Sequence, residues 1–178
     1  MKRKRAYASG AVLPNGEFWI TGGADSKQIL NTVEILSVKN DRWKVRSGTK
    51  LPRPLIGHCF AHLNSNEVII AGGYSPEEDS YSKKVDILNM KTNKWTTKTW
   101  MLLNNGGPRF DASCLNILVG SKSRIVMAGG WNNTGMVVTE YFDELSQTWN
   151  MMGKNVGELQ NNSIKESKII HYYKYLHN

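Results

Sequence analysis

Apolar residues in this chain come in short runs that stop at paired glycines. Phe18-Trp19-Ile20-Thr21 runs into Gly22-Gly23, Val68-Ile69-Ile70-Ala71 into Gly72-Gly73, and Ile125-Val126-Met127-Ala128 into Gly129-Gly130. β-Branched and aromatic runs of this length, closed by residues that accept a positive φ, read as strands ending where the backbone must turn. A second pattern follows each pair. Val33-Glu34-Ile35, Val85-Asp86-Ile87 and Thr139-Glu140-Tyr141 each set a carboxylate between two β-formers. That alternation has period two, so it belongs to a strand and puts the acid on the opposite face. Strands are therefore expected at 6–13, 17–21, 32–36 and 41–45, then at 56–63, 67–71, 84–88 and 94–98, and again at 112–118, 124–128, 138–142 and 148–152. Polar turns at Pro14-Asn15-Gly16 and Asn64-Ser65-Asn66 separate the first two strands of the first two groups.

The groups repeat further anchors. An arginine stands upstream of each (Arg5, Arg53, Arg109), and a tryptophan lies downstream of each glycine pair (Trp43, Trp95, Trp149). The glycine pairs begin at 22, 72 and 129, so the period runs from 50 to 57. A period of about 50 residues is that of kelch repeats. The order of anchors over roughly residues 5 to 152 resembles the kelch repeat as well: Arg, an apolar strand, a strand ending in Gly-Gly, a short apolar run, then Trp. The Tyr-Asp usual before the Trp is replaced here by Leu36-Ser37, Leu88-Asn89 and Phe142-Asp143, which keep a large apolar residue in the slot.

The resemblance implies an all-β fold, a partial kelch-type β-propeller of three four-stranded antiparallel blades. The blades would span about 5–46, 53–98 and 109–152, with a divergent tail at 153–178. Regular recurrence places Trp43, Trp95 and Trp149 in the packing between blades. Propellers have about 4–8 blades, so three do not close a ring. The chain is expected to be part of a propeller: a fragment, a truncated product, or an arc completed by another chain. Self-association joins the expectations, because an open arc exposes sheet edges.

Composition changes this picture little. A chain of 178 residues with 40% hydrophobic residues suits one domain with a real core. The charge matters more. Net charge is +8, and residues 1–53 hold 11 Lys/Arg against 4 Asp/Glu. A basic patch points to nucleic acid or an anionic membrane. Four of these cations, however, form the single run Lys2-Arg3-Lys4-Arg5, read as a solvated chain end, so neither partner is expected. No apolar stretch reads as a signal peptide or is long enough to span a bilayer. The default placement is soluble and cytoplasmic, and the sequons at Asn132-Asn133-Thr134 and Asn161-Asn162-Ser163 carry little weight there.

Candidate chemistry is sparse. Each carboxylate of the third strands stands alone at its depth, so the acids cannot form a close catalytic pair and read as structural acceptors. Cys59 and Cys114 hold the same place in successive repeats and read as buried free thiols. His58 and His62 lie four apart, while His171 and His177 are far off in the tail, so no zinc set forms. The glycine pairs lack the following Lys-Ser/Thr of a phosphate loop. No catalytic residue, metal or cofactor is assigned.

Loops carry function more often than packed strands. Trp131 follows the third glycine pair, Tyr74 holds the matching place after the second, and Asp25 lies in the first such loop. All three are candidates for a binding surface; the alternative is a ring folded back over its own blade. The kelch resemblance places the connections between blades on the same side, which adds Arg53 and Arg109. Arginines and aromatics dominate protein interfaces, and paired arginines suit an acidic peptide segment. A fixed position in each repeat is equally what a structural role would produce. In function, the resemblance implies a protein-binding module acting through loops on one face, as an adaptor for ubiquitination or a cytoskeletal binder. No BTB-like or F-box-like segment accompanies it. The alternative is an enzyme of a kelch-type propeller class, galactose-oxidase-like or sialic-acid-epimerase-like. Galactose-oxidase-like chemistry needs copper ligands and a Tyr–Cys link, and these cysteines and histidines do not suit it.

Overall fold

The computed structural model describes residues 1–99, 108–119, 122–132, 135–136 and 139–152. Three four-stranded antiparallel sheets follow one another along the chain. The first holds β1 (Ser9–Val12), β2 (Glu17–Thr21), β3 (Thr32–Ser37) and β4 (Arg42–Lys50). The second holds β5 (Cys59–Asn64) and β6 (Glu67–Ala71), then, after a hairpin of β7 (Tyr74–Ser75) and β8 (Ser80–Tyr81), β9 (Lys84–Asn89) and β10 (Lys94–Thr99). The third holds β11 (Ser113–Val119) and β12 (Lys122–Ala128), a hairpin of β13 (Trp131–Asn132) and β14 (Gly135–Met136), and then β15 (Glu140–Asp143) and β16 (Thr148–Met151). Each sheet is a blade, and each glycine pair directly follows the second strand of its blade. Val138 of the expected third strand lies outside the described residues. So do Asn133 and Thr134, the second sequon, His171, His177 and the tail from 153.

The first strands of the first two blades are shorter than the apolar pattern predicts, and that of the third is shifted by one residue. Ala6, Ile56 and Phe110 form isolated bridges to Ala24, Tyr74 and Trp131. The next residues, Tyr7, Gly57 and Asp111, turn to φ 53°, 58° and 58°. In the first two blades that left-handed step breaks one expected strand into a bridge and a strand. The three turning residues are stitched together: the Gly57 amide donates to Tyr7 O at 2.9 Å, and the Asp111 amide donates to Gly57 O at 2.8 Å. Glycine is required at 57 for a second reason. A side chain there would run into the Phe110 ring.

Alternation sorts the middle blade into two cores. Phe60, Val68, Ile70 and Leu88 pack with Leu13, Trp19, Val33 and Ile35 of the first blade. Cys59, Ala61, Leu63, Ile69, Val85 and Ile87 pack with Ile125, Met127, Phe142 and Trp149 of the third. Both faces of this sheet are apolar because a neighbouring blade covers each one.

Two expectations need correction. Trp149 is buried, but Trp95 and Trp43 are only half-buried. Trp95 still packs on the first core and its indole N–H donates to Lys50 O at 2.8 Å. Trp43 rests edge-on against Phe18, centroids 6.1 Å apart, on the face of its blade away from that core. The cysteines are not free thiols either. Cys59 on β5 and Cys114 on β11 are joined as a disulfide, with Cα atoms 5.2 Å apart, inside the range such bonds require. Equal places in successive repeats become adjacent places when blades stack, which is the physical reason.

Candidate functional site

The arginines are internal. Arg5 Nη2 meets Glu34 Oε1 at 2.7 Å, Arg53 Nη1 meets Asp86 Oδ2 at 2.6 Å, and Arg109 Nη2 meets Glu140 Oε2 at 2.8 Å. In the first and third blades the same guanidinium donates to the carbonyl of the first glycine of the pair, Gly22 O at 2.6 Å and Gly129 O at 3.2 Å. The pair of ions therefore clamps the end of the second strand to the third. In the middle blade the bridging pattern puts Leu55, not Arg53, at the place of Arg5 and Arg109. Arg53 starts two residues earlier and reaches Asp86, Ser82 Oγ and Glu78.

With 4% and 1% of their surface accessible, Arg53 and Arg109 present nothing to a partner. Both leave the set of surface candidates, because a buried cation is tolerated only beside its counter-charge. The third-strand acids each face an arginine, a structural role of the kind their recurrence implies. Burial alone would raise Glu34, yet Arg5 and the amides of Lys2 and Arg3 outweigh it and hold the carboxyl below its usual value. At Glu140 burial wins over the attraction of Arg109, and the carboxyl rises to about 7.

His58 is internal as well. Its Nε2 lies 2.8 Å from Thr21 Oγ1, across the junction of the first two blades. Burial, helped by the nearby Arg53 charge, lowers its pKa to about 3.

What remains accessible is aromatic. Tyr74 and Trp131, single candidates from separate repeats, are brought together by Tyr81, whose ring lies 6.4 Å from Tyr74 and 5.8 Å from Trp131. Tyr81 also lies 6.3 Å from Phe110, and Phe110 lies 5.7 Å from Tyr7 of the first blade. Five rings from three blades thus form one connected row. Trp131 and Tyr7 are exposed at 46% and 48%, unusual for large rings. The left-handed turns explain the convergence: they bring the residues before each first strand and after each glycine pair to the same place. Burial, and then hydrogen bonding to Asp79 at 3.3 Å, lifts the Tyr74 hydroxyl above its ordinary value.

Asp25 does not touch the rings. It accepts the Lys27 and Gln28 amides, each at 2.9 Å, and Arg3 Nε at 2.5 Å, and these hold its carboxyl low, the Lys27 amide foremost. It borders an open groove of about 680 Å³ between Lys2–Tyr7 and Ala24–Ser26. Tyr7 belongs to both groove and row. The run Lys2-Arg3-Lys4-Arg5 is accordingly no loose solvated end, since Arg3 and Arg5 are committed to Asp25 and Glu34.

The recurring clamp of arginine, glycine pair and third-strand acid is a property of the repeat, and comparison with known families agrees. The Kelch motif matches residues 5–47, the first blade up to the last few residues of its fourth strand. The first blade is a kelch repeat. No curated protein matches the chain. Kelch repeats are generally protein-interaction modules; the third blade repeats the matched blade's clamp, and the middle and third blades both repeat its bridge pattern. Tyr7, Tyr81 and Phe110 escaped the sequence reading because their value lies in meeting across blades. The one legible signal was an aromatic residue one or two places after the anchoring arginine, as at Tyr7 and Phe110.

Proposed function

We propose that this chain binds a partner protein through the glycine-pair loops. The observation that supports the reading is the row of rings drawn from all three blades, half-buried along its middle and exposed at Tyr7 and Trp131. Large rings left accessible side by side are typical of interaction sites. Tyr74, Tyr81 and Trp131 form one end of the surface, and Tyr7 with the Asp25 groove forms the other. Lys2 and Lys4 leave exposed cations at that groove, so the partner segment is apolar or aromatic over the rings and acidic where it reaches the groove. An adaptor in ubiquitination and a cytoskeletal binder, both cytoplasmic roles, would use such a surface alike.

The test is a pair of measurements on wild type and on Tyr7→Ala/Trp131→Ala. Partners captured by the wild type should be lost by the double variant. Hydrogen exchange in the complex should slow at 74–81 and 110–111. Protection confined to the outer strands, with the double variant still binding, would refute the assignment.

A further inference from the structure

The charge of the molecule is not where its terminal run suggests. Residues 39–50 carry Lys39, Arg42, Lys44, Arg46 and Lys50 against Asp41 alone, and residues 91–98 carry Lys91, Lys94 and Lys98 with no acid. Those two segments net +7, against +8 for the whole chain. They are the outermost segments of the first two blades, β4 and β10 with the turns that lead into them.

They also touch. Asn93 Nδ2 donates to Gly48 O at 2.7 Å, Thr49 Oγ1 donates to Asn93 Oδ1 at 2.5 Å, and the Trp95 indole donates to Lys50 O at 2.8 Å. The two basic segments are therefore one continuous band. Lys39, Arg42, Lys44, Lys50, Lys91 and Lys94 are all exposed along it. Arg46 is fixed within the band, its guanidinium 4.4 Å over the Trp19 ring. The acids that face it are few: Asp41, and Glu17, whose carboxylate lies 3.6 Å from Lys44 Nζ.

Lysines on an outer strand also deter edge-to-edge aggregation, but that need would apply to every blade. The outer strand of the third blade, Thr148–Met151, carries no cation. The band is thus a feature of two blades only. Along β4, residues two apart repeat at roughly 6.7 Å, so Arg42 and Lys44 offer charge in a line. Between the cations stand Asn40, Ser47, Thr92 and Thr96, exposed hydrogen-bonding side chains of the types that contact phosphate and sugar.

We propose that this outer band binds the phosphate backbone of a nucleic acid, without base specificity and independently of the aromatic loop face. The test uses the full chain and fluorescence anisotropy with a labelled oligonucleotide, single-stranded and duplex, in two unrelated base sequences. Binding should ignore the sequence. With the six exposed cations engaged, affinity should fall about 10³-fold between about 50 and about 200 mM salt. Lys44→Gln/Lys50→Gln/Lys94→Gln should bind more weakly, lose only roughly 40-fold over the same range, and melt where the wild type melts. Lys2→Gln/Lys4→Gln should bind as the wild type does. Failure to bind at about 50 mM salt, or a triple variant with unchanged affinity, overturns the proposal. Binding to phosphatidylserine vesicles or heparin with no binding to the oligonucleotide overturns it too.

Discussion

At the scale of single residues, the consequential side chains are the polar ones held between blades. His58 is buried neutral, its pKa about 3 against 6.5 when free. Its sign follows from linkage. Below pH 6.5 the unfolded chain takes up a proton that the folded chain refuses, so stability is lost as pH falls from 6.5 toward 3. Glu140 acts oppositely. With a pKa near 7 against 4.5 when free, it favours the folded form as pH falls through that interval. The two partly cancel, so the difference between variants carries the information. Between pH 6.5 and pH 5 the wild type should lose up to about 1.4 kcal/mol per pH unit relative to His58→Asn, as read from urea midpoints. Parallel curves for the two proteins would show that His58 is not held neutral.

At the scale of elements, an arginine paired with the third-strand acid locks each blade, and in the first and third blades it also ties in the glycine pair. The Arg109 and Glu140 side chains are wholly buried, so neither charge has water to fall back on. Well above pH 7, where Glu140 is ionised, Arg109→Leu should cost about 3–5 kcal/mol, because it strands a carboxylate in the interior. The cost should shrink as pH falls and the carboxyl takes up a proton. Adding Glu140→Leu should return much of that loss, since a buried pair is often replaceable by apolar groups of similar size. A double variant no more stable than the single one, measured by chemical denaturation, would mean that the hydrogen bond to Gly129 O matters more than the charge. The clamp also explains why an arginine recurs in every repeat without being a surface residue in any of them.

At the scale of the molecule, the middle blade shares one core with each neighbour, and the disulfide spans one of those junctions. Cys59 and Cys114 lie 55 residues apart in sequence, and a loop of that size gives a stabilisation of about 4 kcal/mol. The unfolded, unreduced protein should resist thiol alkylation at both positions, and reduction should lower the unfolding free energy by that amount. Two alkylated cysteines without reductant would return the pair to free thiols. Such bonds are uncommon in the reducing cytosol, so the same measurement on protein taken from cells bears on the proposed compartment.

The repeat and its strands were legible in the chain because they are local. Period-two alternation and glycine pairs act over a few residues, and β2 and β6 fall where the pattern predicts, at Glu17–Thr21 and Glu67–Ala71. The third-strand acids could be called structural from their recurrence alone. Contacts between blades were beyond such reading. A repeated arginine looks the same in sequence whether it faces solvent or a carboxylate, and only packing turned Arg53 and Arg109 inward. Two cysteines at equal repeat positions became neighbours because stacked blades align equal positions. Tyr7, Phe110, Tyr81 and Trp131 became a row because left-handed turns at Tyr7, Gly57 and Asp111 aim three distant segments at one place. Period, strand and turn are set by neighbours along the chain; burial, pairing and the exposed ring surface are set by neighbours in space.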